Sequence, residues 1–266
     1  MRDRALWKHA EPGRVGRVFI LSGALLAAIL ILHGAFDAPR PSFIEALPTG
    51  VLRVGIDASN PPFAFAVSEG YAGLEIDLSR MLADGLGAPL QLVGLGYDGL
   101  YDALSADRVD VIIAATPIDL KRSRTVSASP PYFNAGLMLI ADHPLRSMED
   151  LPGQTLAFEY GSVAHAVTLE WLRRVASYGL LPQETPDAAL DTLRTGTAEA
   201  ALVDAVSARL YLRGHEGWHP YAVYVTDVLY AVISRIDRPD LSWYVAEGMS
   251  SLLRDGEIET LIAKWL

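Results

Sequence analysis

Val109, Val111, Ile112 and Ile113 make a nearly continuous apolar run, and that run constrains the fold more than any other feature of the sequence. A strand with so little polar alternation needs both faces covered, which is the situation of strands in parallel α/β sheets. The preceding segments agree. LRVGI (52–56) reads as a strand, Leu74 to Leu86 as a helix with Leu74, Leu78, Met81 and Leu82 on one face, and LQLVGL (90–95) as a second strand. Gly87 and Pro89 end that helix. With a helix over Tyr97 to Ser105 and a third strand over Val111 to Thr116, the order is βαβαβ, which is that of a parallel sheet.

Such sheets bind ligands beyond the carboxyl ends of their strands. There the third strand runs into a loop that carries Arg122 toward the Pro130-Pro131-Tyr132 turn. A guanidinium is a planar, permanently charged fork that holds both oxygens of a carboxylate, so Arg122 is a candidate carboxylate clamp. It fits equally an ordinary solvated arginine in the cluster Lys121, Arg122 and Arg124.

A second α/β unit is suggested by an internal echo. DALSADRVDVII (102–113) superposes on DTLRTGTAEAAL (191–202) at an offset of 89, with Asp102 on Asp191, Leu104 on Leu193, Asp110 on Glu199 and Ile113 on Leu202. FNAGLMLIA (133–141) and VLYAVIS (228–234) are apolar and extended, as two crossings between lobes would be. A cleft between such lobes buries a small solute when the hinge closes.

Composition excludes several functions. The chain of 266 residues carries a net charge of −10, and the part after residue 35 has 17 basic and 30 acidic residues, or −13, which argues against nucleic-acid binding. With no cysteine there is no disulfide, no thiolate metal site and no lipid-modified cysteine. At the amino terminus Arg2, Arg4, Lys8, Arg14 and Arg17 precede VFILSGALLAAILIL (18–32), the order of an export signal. The body is therefore expected outside the inner membrane. Cleavage after Ala35 or Ala38 would place His33 or Phe36 where a peptidase wants a small residue, and the uncharged stretch 18–36 is close to spanning length. A removed signal and an uncleaved anchor both stay open.

Three segments in order, LRVGIDASNPPFAF (52–65) with GYAGLEIDLSRMLADGLG (70–87), LGYDGLYDALSADRVDVII (95–113) and the Arg122 loop, resemble the family 3 solute-binding proteins. LPGQTLAFEYGS (151–162), LRTGTAEAALVDAVSA (193–208) and LLRDGEIETLIAKWL (252–266) extend the likeness from about residue 47 to the last residue. The resemblance implies a periplasmic-binding-protein-like type II α/β fold, with a signal or anchor and linker at 1–46. Lobe 1 would be 47–136 with 227–266, and lobe 2 would be 137–226. It also implies an extracytoplasmic receptor that delivers a polar amino acid or similar zwitterion to an ABC permease, with no cofactor and no catalysis.

The same resemblance assigns roles. Arg122 matches the arginine on the ligand α-carboxylate, and Asp204 matches the acid on the α-ammonium from the other lobe. Tyr97 and Phe63 fall where aromatic walls stand, although Phe63 also suits a plain core position. Ser162 and Val163 open a helix whose N–H groups would share the carboxylate, although Ser162 also suits a simple cap. Thr116, Asp57 and Glu159 complete the expected cleft. Asn60, Ala115 and Pro117 depart from the aromatic and hydroxyl residues common in amino-acid binders, so the side-chain pocket is not defined by the motifs. Asp119, where threonine is usual, would pair with Arg122 or receive a cationic group.

Two other chemistries have partial signatures in the sequence. His215, Glu216 and His219 spell HExxH, but Gly214, Gly217 and Pro220 interrupt the helix that zinc binding needs. Cyclohexadienyl dehydratases resemble the same family with an added general acid, a role that Glu159 or Asp119 would have to fill. A ligand-sensing module acting through a partner chain is the remaining alternative.

Overall fold

The structure, a computed structural model, describes residues 41–266. The signal or anchor expected over 18–36 lies outside the described residues. Among the described residues no helix is long and apolar enough to cross a membrane. The chain runs α1 (Phe43–Ala46), β1 (Leu52–Ile56), a small antiparallel sheet of β2 (Ser59–Asn60), β3 (Ala64–Val67) and β4 (Gly70–Ala72), then α2 (Leu74–Gly85) and β5 (Leu90–Gly94). α3 (Leu100–Ser105), β6 (Val111–Ile112), β7 (Val126–Ala128) and β8 (Phe133–Asn134) follow. Next come β9 (Leu137–Ala141), β10 (Thr155–Glu159), α4 (Val163–Trp171), β11 (Gly179–Gln183), α5 (Pro186–Arg194), β12 (Ala200–Asp204), α6 (Ala205–Gly214) and β13 (Tyr221–Tyr224). The chain closes with β14 (Leu229–Tyr230), β15 (Ile233–Arg235), α7 (Pro239–Arg254) and α8 (Glu257–Trp265).

Two five-stranded sheets result, ordered β5-β1-β6-β15-β7 and β11-β10-β12-β9-β13. Each has a parallel trio, β5-β1-β6 or β11-β10-β12, as the βαβ order requires. The other two strands of each sheet pair antiparallel, so the sheets are mixed. In the first sheet β15 follows directly on the return crossing, so it enters against the trio. β6 shows why the sequence there is apolar throughout: Val111 and Ile113 pack in the cluster with α2, α7 and α8, while Ile112 packs on the other face with Leu100, Leu104 and Ile233.

The third strand is shorter than the expected Val111 to Thr116. Ala115 adopts a left-handed conformation at φ +46°, which turns the chain out of the sheet before Pro117. Tyr97–Gly99 is likewise a 3₁₀ turn leading into α3 rather than its first turn.

Paired crossings join the sheets. The Asn134 side-chain amide donates to Asp227 at 2.7 Å, and its Oδ1 accepts from Gly136 N at 2.9 Å and Val228 N at 3.0 Å. Leu137 N donates to Thr226 Oγ1 at 2.9 Å. The two backbones approach so closely at Gly136 that a Cβ there would overlap the Thr226 carbonyl. Removing the Asn134 amide should lower stability by about 2 kcal/mol, since two backbone donors and one ion-facing bond lose their partner. A denaturant titration of Asn134→Ala with an unchanged midpoint would contradict that count.

Candidate ligand-binding site

The carboxyl ends of the parallel strands carry the candidate residues. In the first sheet the chain leaves β1 at Asp57, β5 toward Tyr97, and β6 toward Thr116. In the second it leaves β10 at Glu159 and β12 at Asp204. Tyr97 of the first set, and Glu159 and Asp204 of the second, line separate cavities. One, of about 540 Å³, is lined by Tyr97, Asp98, Tyr101, Asp102, Asp119 and Arg122 among others. The other, of about 210 Å³, is lined by Glu159, Ser162, Val163 and Asp204 among others. Arg122 and Asp204 are thus not brought into one cavity.

Arg122 lies in a 3₁₀ turn, Leu120–Arg122, with its guanidinium carbon 4.0 Å above the Tyr101 ring. Stacking on an aromatic face fixes the plane of the fork, which a lysine in the same place would not do. Asp119 does pair with it, Nε to Oδ2 at 3.7 Å, and also accepts from Lys121 N at 2.9 Å. Tyr97 is 46% exposed and lines the same cavity.

On the other wall Asp204 caps α6, with Oδ1 accepting from Val206 N at 3.1 Å and Ser207 N at 2.9 Å. That capping bond fixes the carboxylate at the strand end. Ser162 is the cap of α4: its hydroxyl accepts from His165 N at 3.3 Å and donates to the Glu159 carbonyl at 2.8 Å. Its side chain is therefore engaged within the turn, and the N–H groups opening the helix are the donors left for a ligand. Val163 is 69% exposed at this rim.

Three expected residues sit elsewhere. Phe63 is only 3% exposed and packs edge-on against Phe133 and Tyr230, so it is a core residue and not an open wall. Thr116 is buried with its hydroxyl donating to the Ala114 carbonyl at 3.3 Å. Asp57 accepts from Ser59 N at 3.1 Å and Ser59 Oγ at 2.7 Å, a local turn. His215, at the end of α6, is stacked on Tyr211, and Glu216 and His219 follow in the loop, off any helix. The HExxH spacing therefore has no helical geometry behind it.

Several contributors were not anticipated. Tyr101 follows Tyr97 by four residues across the 3₁₀–helix junction, a spacing that the sequence displays. Tyr230 packs against the rings of Phe63, Phe133 and Tyr132. Burial, then nearby Glu75, Tyr97 and Asp204, raise its phenol above the ordinary range.

Below the first wall lies Glu75, completely buried. Its Oε1 accepts from Ala115 N and from the Tyr132 hydroxyl at 2.5 Å, whereas buried Oε2 has no hydrogen-bond partner. Burial pushes this carboxyl up to about 7, against the opposing effect of its two donors, and Asp57 adds to the rise. One side chain thus joins the start of α2, the turn at Ala115 and the approach to the crossing.

The comparisons with known proteins agree with this architecture. Residues 52–266 match the family described as bacterial extracellular solute-binding proteins, family 3. The L-cystine-binding protein TcyJ of Escherichia coli (strain K12) is 25% identical over 97% of this chain and 97% of its own length. A cyclohexadienyl dehydratase of Pseudomonas aeruginosa is 28% identical over 72% of this chain and 73% of its own. The unliganded, open L-cystine solute receptor of Neisseria gonorrhoeae shares the fold, with a TM-score of 0.69 at 22% identity over 85% of this chain and 96% of that one.

Proposed function

Because this chain belongs to the bacterial extracellular solute-binding proteins of family 3, we propose that its solute is a polar amino acid held between the two cavity walls and passed to an ABC importer. Arg122 takes the α-carboxylate through its Nη edge, since its Nε edge faces Asp119. The N–H groups at Ser162 and Val163 share that anion, and Asp204 takes the α-ammonium. Tyr97 stands over the ligand, with Asp119 and Glu159 at its side-chain end. Asp57 and Thr116 act indirectly, by shaping the strand ends.

The observation that carries this reading is the placement of one cation and one fixed acid beyond the parallel strands of two sheets joined by paired crossings. We assign lobe 1 to 47–136 with 227–266 and lobe 2 to 137–226, so that closure about the crossings merges the two cavities. Segment 18–36 would export the protein and, if uncut, hold it at the inner membrane. A thermal-shift screen over the twenty free amino acids tests the function: at a hundredfold excess over Kd, a bound amino acid stabilises by about 2.7 kcal/mol. No shift with any of them would contradict it.

The dehydratase relative gives a second reading, in which a carboxyl of this cleft acts as a general acid. Glu75 is the carboxyl raised to about 7, and it lies fully buried behind Ala115 and outside both cavities. We therefore assign no catalysis to the chain. Aromatic product from arogenate or prephenate incubated with the purified protein would overturn that assignment.

A further inference from the structure

We infer that His165 is a positioning residue of the ligand cleft, whose neutral imidazole holds the Gly161–Ser162–Val163 turn in its receiving shape. The inference rests on the reading that this turn meets the solute carboxylate. Gly161 N donates to His165 Nδ1 at 3.1 Å. Gly161 stands at φ +80°, a conformation that glycine adopts without strain, and a Cβ added there would meet nothing within 4 Å. The imidazole supplies a restraint from outside the turn's own backbone. The ring itself is held, nearly parallel to Phe158 with centroids 5.2 Å apart and tilted against Tyr160 at 5.0 Å. His165 also ties the turn through its backbone, donating to Ser162 Oγ at 3.3 Å. Two of the bonds that shape the turn therefore end on this one residue.

An acceptor at Nδ1 requires the neutral tautomer with its proton on Nε2, because an imidazolium carries N–H on both nitrogens and accepts nothing. Protonation would set two donors against each other at Gly161 and release the turn. The titratable groups near this turn are Tyr160 against the ring, Glu159 and Asp204 lining a cavity with Ser162 and Val163, and Glu184 lining a cavity with Tyr160. Acidification should weaken solute binding about three- to tenfold, the effect of one backbone hydrogen bond.

The test uses ¹⁵N-labelled full-length protein from pH 8 to 5, without and with each of the twenty free amino acids. The Gly161 amide signal should titrate in the wild type and stay fixed in His165→Gln, whose carbonyl accepts without titrating, and in His165→Phe, which keeps the stacking alone. For any amino acid that binds, calorimetry should show affinity falling with acid in the wild type and the His165-dependent part of that slope absent in His165→Gln. His165→Phe should bind weakly at every pH. A Gly161 signal indifferent to pH, or a pH slope of affinity unchanged in His165→Gln, overturns the proposal. A lowered melting temperature in His165→Phe with wild-type affinity and slope would mean a structural role and also overturns it. Binding by none of the twenty counts against the amino-acid reading alone, and the ligand-free Gly161 signal then decides for or against His165.

Discussion

Calorimetric titration of Arg122→Ala and of Asp204→Asn should show the solute bound at least tenfold, and up to about a hundredfold, more weakly than by the wild type. A charge-assisted hydrogen bond contributes about 1.5–3 kcal/mol, and about 1.4 kcal/mol is tenfold in affinity. Asparagine is the informative change at position 204 because it caps a helix nearly as well as aspartate, so the bonds to Val206 and Ser207 survive. What changes is the other oxygen, which becomes an N–H donor facing the ammonium. At position 122, Arg122→Lys separates charge from shape: lysine keeps the cation and loses the fork stacked on Tyr101. It should fall between alanine and the wild type. Wild-type affinity in Arg122→Ala and Asp204→Asn together would remove both residues from the site.

The second large effect concerns Glu75 and stability. Its folded-state carboxyl is raised from 4.5 to about 7, so the folded protein keeps this proton where the unfolded chain has lost it. Stability from the proton is full below about 4.5 and is lost as pH rises through about 7. The rise corresponds to a loss on the order of 3 kcal/mol. Glu75→Gln cannot ionise, and its amide oxygen can still accept from Ala115 N and Tyr132. Its unfolding free energy, measured against the wild type, should therefore gain on the wild type between pH 4.5 and 7 and level off above that. Other carboxylates titrate in both proteins and cancel in the difference. A difference that is flat across this window would mean that Glu75 ionises as an exposed glutamate does.

Much of this architecture is legible in the sequence because it is local. The apolar run at Val111 to Ile113 already implies two covered faces, and the structure divides its residues between two clusters. Asp204 closes the apolar strand AALVD directly before a helix, which is a cap by position as well as an acid by charge. Ser162 and His165 stand at the spacing of a capping box, with histidine where glutamate or glutamine is usual, so the tie between them also has a local signature.

What the sequence hides is set by distant partners. Glu75, in the first turn of an amphipathic helix, looks like a solvated acid at a helix start, and only Tyr132, 57 residues away, takes it inside. Nothing in the stretch IIAATP marks Ala115 as left-handed; its N–H turns to Glu75 instead of a strand neighbour. The family resemblance places Phe63 at an aromatic wall, yet Phe133 and Tyr230 arrive from the crossings and enclose it. Arg122 and Asp204 stand in two cavities, beyond strands of two different sheets, a placement that no local pattern encodes.

The chain has no cysteine, so a pair of labels can report on the cleft directly. With Glu69→Cys and Asp187→Cys, both exposed and on opposite sides of the crossings, the distance between spin labels can be measured with and without the amino acid that gives the largest thermal shift. Closure over the solute predicts a shorter distance at saturation, and the unliganded distance in Arg122→Ala at the same concentration. An unchanged distance in the doubly labelled protein, with binding demonstrated by calorimetry, would contradict a solute held between the two walls.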